Sequence, residues 1–253
     1  MARLEVRNLT KAFGGVLAVE DVSFTVETGI VYSVIGPNGA GKTTLFNLIT
    51  GLLAPSVGEV RLDDQVVTGL APHQLAAKGM ARTFQNLQIC MNMTAVENVM
   101  VGGHLSVDRN LFRSMLHFPS LRRADVVLRD RATELMAYVG LDAYLQSEAS
   151  AMPYGALKRL EIARALAAKP RILFLDEPAA GLNPRETAEI DRLIRKIADG
   201  GVTVVLVEHD MKMVMNISDR ILVLNSGKKL TEGSASEVRG NPDVIAAYLG
   251  KAA

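Results

Sequence analysis

Eight consecutive residues, GPNGAGKT from Gly36 to Thr43, could bind phosphate. They fit the spacing G-x-x-x-x-G-K-[ST], with an apolar run at 30–35 before them and a helical pattern after them. Glycine allows the backbone to turn its N–H groups inward around phosphate oxygens, at the positive end of the following helix. Lys42 would place a positive charge beside the β- and γ-phosphates, and the Thr43 hydroxyl could ligate Mg²⁺. The candidate nucleotide-binding residues are Gly36, Pro37, Asn38, Gly39, Ala40, Gly41, Lys42, Thr43 and Thr44.

Two adjacent carboxylates, Asp176 and Glu177, form a second candidate group at the end of the apolar run ILFL. Neighbouring negative charges at the end of a buried strand repel each other, so they need a nearby cation or a proton-transfer function. Asp176 would hold Mg²⁺ through water, and Glu177 would polarise the water that attacks a γ-phosphate. As solvated charges at a strand end, the same pair would need no special function.

Apolar runs separated by helical patterns predict the elements that position these residues. The runs are IVYSVI (30–35), RILFLD (171–176), VTVVLVE (202–208) and RILVLN (220–225). Near-continuous apolar runs are typical of strands buried on both faces of a parallel sheet. The helical patterns TTLFNLITGLL and ETAEIDRLIRKIADG end at glycines, Gly51 and Gly200–Gly201. The sequence therefore predicts an α/β fold with a doubly wound parallel sheet.

Two regions depart from this pattern. LEVRNLT and VSFTVE within 3–26, and GEVRLDDQVV at 58–67, alternate as antiparallel strands do, so we expect a small antiparallel β-subdomain. Residues 86–168 contain no convincing strand, and apolar residues recur there at helical spacing, as at Leu128, Ala132, Leu135 and Val139. We therefore expect an inserted helical subdomain.

The composition restricts the class of protein. With 253 residues, of which 49% are apolar, the chain can bury a sizeable core and is not expected to be disordered. The 28 basic and 27 acidic residues give a net charge of +1, which disfavours binding of nucleic acid through bulk electrostatics. No run of about 18 apolar residues is present, so no membrane-spanning helix is expected. A single cysteine, Cys90, and a start without a secretory pattern favour a reducing, cytosolic compartment.

The order of these motifs resembles that of the ATP-binding subunits of ABC transporters. The resemblance extends over essentially the whole chain and includes Gln85 in RTFQNL, Gly155 in MPYGALKRL, EPAAGLNP at 177–184 and His209 in VEHDM. It implies a single ABC ATPase domain at 1–253. Residues 1–85 and 169–253 would form a P-loop NTPase (RecA-like) core with the β-subdomain, and 86–168 would form the helical subdomain.

The same resemblance implies roles for three further residues. Phe13 would stack on adenine, Gln85 would sense Mg²⁺ and the attacking water, and His209 would contact the γ-phosphate and orient Glu177. Each has a simpler alternative: a core aromatic for Phe13, a solvated loop amide for Gln85, and a hydrogen-bonded histidine at a strand end for His209.

One motif departs from the family. Family members typically read Leu-Ser-Gly-Gly-Gln at the start of a helix, where the serine and a glycine donate hydrogen bonds to the γ-phosphate held by the other subunit. Here the aligned residues are Met152, Pro153, Tyr154, Gly155 and Ala156. Pro153 has neither a hydroxyl nor a backbone N–H, and losing one such donor typically costs about 3–4 kcal/mol. Alternatively, the proline simply begins the helix.

The departure predicts an asymmetric assembly. A homodimer would carry Pro153 at both nucleotide sites, whereas a heterodimer with a second ABC ATPase would keep one intact site. The sequences of the motifs FGGVLAVEDVSF, EPAAGLNPRET and VEHDMKMVM are similar to those of the subunits that power branched-chain amino acid uptake.

The resemblance implies a complete transport assembly. This chain would bind ATP and Mg²⁺ and would associate with two membrane permease subunits and, indirectly, with a solute-binding protein. It would lie at the cytoplasmic face of the cell membrane. Alternatives are an ABC exporter, a mainly regulatory nucleotide-binding subunit and, least favoured, a soluble ABC ATPase acting on nucleic acid or ribosomes.

Overall fold

The computed structural model describes residues 3–103 and 119–249. The chain divides into two compact units. The first, called the nucleotide unit below, combines Met1–Arg82 with Arg171–Ala253, and the second, called the helical unit, is Thr83–Pro170.

All strands of the described residues lie in the nucleotide unit. They are β1 (Leu4–Phe13), β2 (Val16–Val26), β3 (Val31–Ile35), β4 (Val57–Leu62), β5 (Gln65–Val66), β6 (Met80–Arg82), β7 (Ile172–Asp176), β8 (Thr203–Val207), β9 (Arg220–Asn225) and β10 (Lys228–Gly233). The helices are α1 (Lys42–Ile49), α2 (Pro72–Ala77), α3 (Ala95–Gly102), α4 (Pro119–Tyr138), α5 (Tyr154–Ala167), α6 (Pro184–Asp199), α7 (Met211–Ile217), α8 (Ala235–Arg239) and α9 (Pro242–Leu249). Short 3-10 turns occupy Asp142–Tyr144 and Ala149–Ala151.

A six-stranded sheet forms the centre of the nucleotide unit, in the order β10-β9-β3-β8-β7-β6. All neighbouring pairs are parallel except β9 and β10, which are antiparallel. Every residue of β3, β7 and β8 is buried, which explains why these segments are mostly apolar. Because the strands are parallel, the segments after β3, β7 and β8 emerge at one edge of the sheet. The predicted α/β fold with a parallel-sheet core is confirmed.

An antiparallel sheet in the order β2-β1-β4-β5 completes the nucleotide unit. In β1, Leu4 pairs with Val26 of β2 and with Leu62 of β4, and all three side chains are buried. The predicted strand at 58–67 is interrupted, because Asp63 and Asp64 both have positive φ and turn the chain between β4 and β5. The antiparallel β-subdomain is otherwise as predicted.

The helical unit is built from α3, α4 and α5 in its described residues. Its α3 begins with a capping box, in which Thr94 and Glu97 bond each other's backbone N–H groups. The buried Asn98 side chain accepts a hydrogen bond from Cys90 N and donates to Cys90 O. Ala132 of α4 and Val139, directly after its end, are buried at the predicted helical spacing. Among the described residues, no helix combines the length and apolar character needed to cross a membrane.

Candidate functional site

The loop between β3 and α1 has the backbone conformation that phosphate binding requires. Gly36, Gly39 and Gly41 all have positive φ, at 154°, 79° and 95°. A Cβ on Gly36 would collide with Leu224 O and one on Gly41 with Ala18 O, whereas a Cβ on Gly39 would meet no atom within 4 Å. Two glycines therefore allow close backbone packing, and the third faces open space where a ligand can approach.

Lys42, the first residue of α1, is held inside this loop. Its Nζ donates hydrogen bonds to Gly36 O at 2.7 Å and to Pro37 O at 3.0 Å. Burial lowers the pKa of Lys42, and the negative charge of Glu177 opposes that shift. The ammonium group is thus placed by the loop itself before any phosphate is bound.

A cavity of about 510 Å³ opens over the loop. Its lining contains the predicted residues 38–44 and Glu177. It also contains residues that the sequence analysis missed, namely Val16, Leu17 and Ala18 of β2 and Ser226 and Gly227 after β9. Leu17 and Val16 are exposed, so an apolar ligand surface lies beside a polar one.

Phe13 stands next to this apolar lining. It pairs in register with Val16 across the turn between β1 and β2, and 48% of its surface is exposed. Lys11 Nζ lies 5.2 Å from the centroid of its ring. Phe13 is therefore not a core aromatic, and its ring is available to a flat ligand.

Glu177 and His209 come together at the edge of the sheet. Glu177 has a φ of 48°, unusual for a residue with a side chain, and its N–H donates to Val207 O at 3.0 Å. Its Oε1 lies 3.9 Å from His209 Nδ1. The Glu177 side chain is 23% exposed and the His209 side chain 60% exposed, so both remain accessible from solvent.

Asp176 lies one residue earlier and is buried in an ion pair. Its Oδ2 accepts a hydrogen bond from Arg82 Nη2 at 2.7 Å, and only 5% of the Asp176 side chain and 8% of the Arg82 side chain are exposed. Arg82 Nη1 also donates to Asn47 Oδ1 and Thr50 Oγ1 of the α1 region, both at 2.7 Å. The sequence analysis missed Arg82, whose only local signal is its position at the end of a short strand.

Comparison with known proteins identifies the family. The protein-family model described as ABC transporter matches residues 19–180. The chain belongs to the ABC transporter family. A second model, branched-chain amino acid ATP-binding cassette transporter, matches residues 228–253. The predicted resemblance is thereby confirmed, and the chain is an ATP-binding, ATP-hydrolysing cassette.

Individual ABC relatives match over nearly their whole length. The high-affinity branched-chain amino acid transport ATP-binding protein BraF of Pseudomonas aeruginosa is 48% identical, over 98% of each chain. The corresponding LivG protein of Escherichia coli is 47% identical, also over 98% of each chain. The crystal structure of a nucleotide-free ATP-binding cassette from an ABC transporter matches with a TM-score of 0.86 and 30% identity, covering 99% of this chain and 100% of that chain.

The remaining predicted residues of this ABC ATPase lie in the helical unit. Gln85 is exposed and follows β6 by three residues. Pro153 is the N-cap of α5, with Tyr154 as the first helical residue, and its carbonyl accepts from Ala156 N and Leu157 N. Tyr154 is exposed, whereas Gly155 and Ala156 are buried. The structure thus groups the phosphate loop, Asp176, Glu177 and His209 within one unit, and Gln85 and the signature residues within the other.

Proposed function

We propose that this chain is the ATP-hydrolysing subunit of an importer of branched-chain or other hydrophobic amino acids. Two relatives named for branched-chain amino acid transport share 48% and 47% of its residues over nearly their full length. The model described as branched-chain amino acid ATP-binding cassette transporter also fits its last residues, 228–253. The observation that carries the chemistry is the grouping of Lys42, Glu177 and His209 at one edge of the parallel sheet.

The cavity over the loop fits a nucleoside triphosphate. Backbone N–H groups of the loop and Lys42 would hold the phosphates, as the open side of Gly39 indicates. The exposed Phe13, Val16 and Leu17 provide an apolar surface for a base, so Phe13 would stack on adenine.

The oxygen donors also fit Mg²⁺ bound together with the nucleotide. The Thr43 hydroxyl and the Asp176 carboxylate are hard ligands, which Mg²⁺ prefers. Because Arg82 already engages Asp176, the aspartate would act through water rather than by direct coordination. Among the described residues, no group of three or more His, Cys, Asp and Glu side chains could hold a metal alone, so phosphate and water would supply the other ligands. When bound, Mg²⁺ would neutralise charge on the phosphates.

Glu177 would then polarise the attacking water, and His209 would contact the γ-phosphate and hold Glu177 in place. Both side chains are accessible and close to each other, as this task requires. The chemistry would consist of positioning and charge stabilisation, without a covalent intermediate.

Pro153 supports an asymmetric assembly. As the N-cap of α5 it offers neither a hydroxyl nor an N–H, so a site that depends on this signature would be impaired. We therefore propose a heterodimer with a second ABC ATPase, bound to two membrane permease subunits at the cytoplasmic face of the membrane. If this chain alone hydrolyses Mg²⁺-ATP at about 1 s⁻¹ or faster, the heterodimer is refuted.

The proposal is tested by affinity-tagging the Glu177→Gln chain, solubilising membranes with Mg²⁺-ATP present and identifying the co-purifying proteins by mass spectrometry. We expect two permeases and a second ATPase in stoichiometric amounts. The Lys42→Ala chain is the matched control, because it should lose nucleotide binding and capture less of the second ATPase. Recovery of the Glu177→Gln chain alone, or with ribosomes or nucleic acid, would overturn the transporter function.

A further inference from the structure

A buried carboxylate lies between the strand end of β8 and His209. Glu208 follows Val207 directly, and only 1% of its surface is exposed. Nothing in the sequence motifs or in the proposed chemistry gives this residue a function. An ionised carboxylate is costly to remove from water unless it accepts several hydrogen bonds.

Glu208 accepts these bonds from two separate loops. Its Oε1 accepts from Ala179 N at 3.0 Å, in the segment that follows Glu177. Its Oε2 accepts from His209 N at 3.0 Å and from Asp210 N at 3.4 Å. His209 Nδ1 also lies 3.7 Å from Glu208 Oε2. One side chain thus joins the segment after β7 to the segment after β8.

Both joined segments need such support. Glu177 has the left-handed backbone conformation at φ 48°, and its carbonyl accepts from Ala180 N at 3.1 Å. The His209 side chain is 60% exposed, so burial of that side chain contributes little to fixing its backbone. The hydrogen bonds that Ala179 N and His209 N donate to Glu208 fix the backbone two residues after Glu177 and at His209 itself.

The local charge shows that this arrangement is costly. Burial, together with the negative charges of Asp210 and Glu208, raises the pKa of Asp191 on α6 to about 6. The Oδ1 atom of Asp191 is buried without a hydrogen-bond partner. A carboxylate beside other carboxylates would be a poor choice for stability alone, because an uncharged side chain would avoid the repulsion.

We propose that Glu208 is a positioning residue for ATP hydrolysis. Its carboxylate locks the segments after β7 and β8 together, so that Glu177 and His209 keep their mutual placement. The inference rests on the proposed function, in which Glu177 and His209 act on the attacking water. Glu208 itself touches neither nucleotide nor water in this mechanism.

The test compares Glu208→Gln with Glu232→Gln. Glutamine has nearly the same shape, but its amide nitrogen would face either the N–H of Ala179 or those of His209 and Asp210, so the link would be broken on one side. Glu232 is a largely buried carboxylate in the same unit, paired with Lys229 Nζ at 2.6 Å, and it is outside the nucleotide site. Each variant therefore removes one negative charge, either beside Glu177 and His209 or away from the nucleotide site.

Hydrogen exchange of the nucleotide-free chain gives the first readout. In Glu208→Gln we expect the amides in 177–181 and 207–211 to exchange at least about tenfold faster, and in Glu232→Gln we expect no change there. Unchanged exchange in Glu208→Gln would overturn the proposal. If Glu208→Gln does not fold, Glu208→Asp, which keeps the charge but is one methylene shorter, is measured in the same way and must give the same increase.

Steady-state hydrolysis by the full chain with its co-purified subunits gives the second readout. We expect kcat to fall at least about tenfold in Glu208→Gln while KM for ATP changes less than about twofold, because the phosphate loop is untouched. A purely structural residue would lower the melting temperature and leave kcat unchanged, as expected for Glu232→Gln. Glu177→Gln is measured in parallel. If it retains full turnover, the proposed role of Glu177 fails, and the exchange result still decides the role of Glu208 as a link.

Discussion

Removing Arg82 should destabilise the nucleotide unit strongly, because the buried Asp176 carboxylate would lose the Arg82 cation. Arg82→Met keeps the apolar stem near the Phe46 ring, whose centroid lies 5.7 Å from the guanidinium carbon, and removes the charge. The Asp176 carboxylate, 5% exposed, then loses the cation at 2.7 Å, and Asn47 and Thr50 each lose a donor. Breaking a buried pair from one side typically costs about 3–5 kcal/mol.

The loss is measured by urea unfolding of the nucleotide-free chain, followed by circular dichroism. With a slope of about 3 kcal/mol per M, a loss of about 4 kcal/mol lowers the midpoint by about 1.3 M. The matched control is Arg195→Met, which removes an arginine whose ion pair with Asp219 has the similar N···O distance of 2.9 Å but is exposed, so its loss should be below about 1 kcal/mol.

A double variant tests the physical cause. In Arg82→Met with Asp176→Asn, no carboxylate is left beside the missing cation, so the double variant should be more stable than Arg82→Met alone. If the two variants are equally unstable, the cost arises from packing of Arg82 and not from the buried charge. A loss in Arg82→Met no larger than in Arg195→Met would refute the reasoning altogether.

Three further predictions concern the loop, the apolar surface and pH. Gly41→Ala should abolish ATP binding, measured by equilibrium dialysis, since φ is 95° there and a Cβ would collide with a backbone oxygen of β2. Phe13→Ala should weaken ATP binding severalfold without lowering the melting temperature, and Val57→Ala, an exposed residue of the same sheet, should change neither. Because the pKa of Asp191 is raised from 3.8 to about 6 in the folded chain, its destabilising effect is absent below about pH 4, grows as pH rises and is complete above about pH 6. Asp191→Asn should therefore raise the melting temperature at about pH 8 and leave it unchanged near pH 4.

The central sheet could be predicted because its strands carry their own signal. Burial of both faces favours apolar residues at most positions of β3, β7 and β8, and this preference is visible as near-continuous apolar runs. The three residues of β6 and the partly exposed β10 lack such runs. β6 is a strand because it pairs with β7, far along the chain, and β10 because it returns antiparallel to β9. No local pattern reports such pairing.

In the candidate site, too, only the residues with a local sequence signal could be predicted. The loop motif has a fixed spacing, so Gly36–Thr43 could be found from residue types alone. Arg82 could not, because its partner Asp176 is 94 residues away. Val16 and Leu17 resemble ordinary strand residues until the fold brings them beside the loop. Glu208 likewise has no signal in its spacing, since its function depends on the N–H groups that surround it.

The protein itself provides the partners of three buried charged side chains near the nucleotide site. Lys42 is held by two loop carbonyls, Asp176 by Arg82, and Glu208 by backbone N–H groups. In contrast, solvent can reach Glu177, which is partly buried, and His209, which is exposed. When charges are fixed in advance, little reorganisation is needed as charge develops during phosphoryl transfer. Substitution of Glu208 should therefore affect turnover through the geometry of Glu177 and His209, and its effect should vanish in a Glu177→Gln background, where that geometry no longer matters.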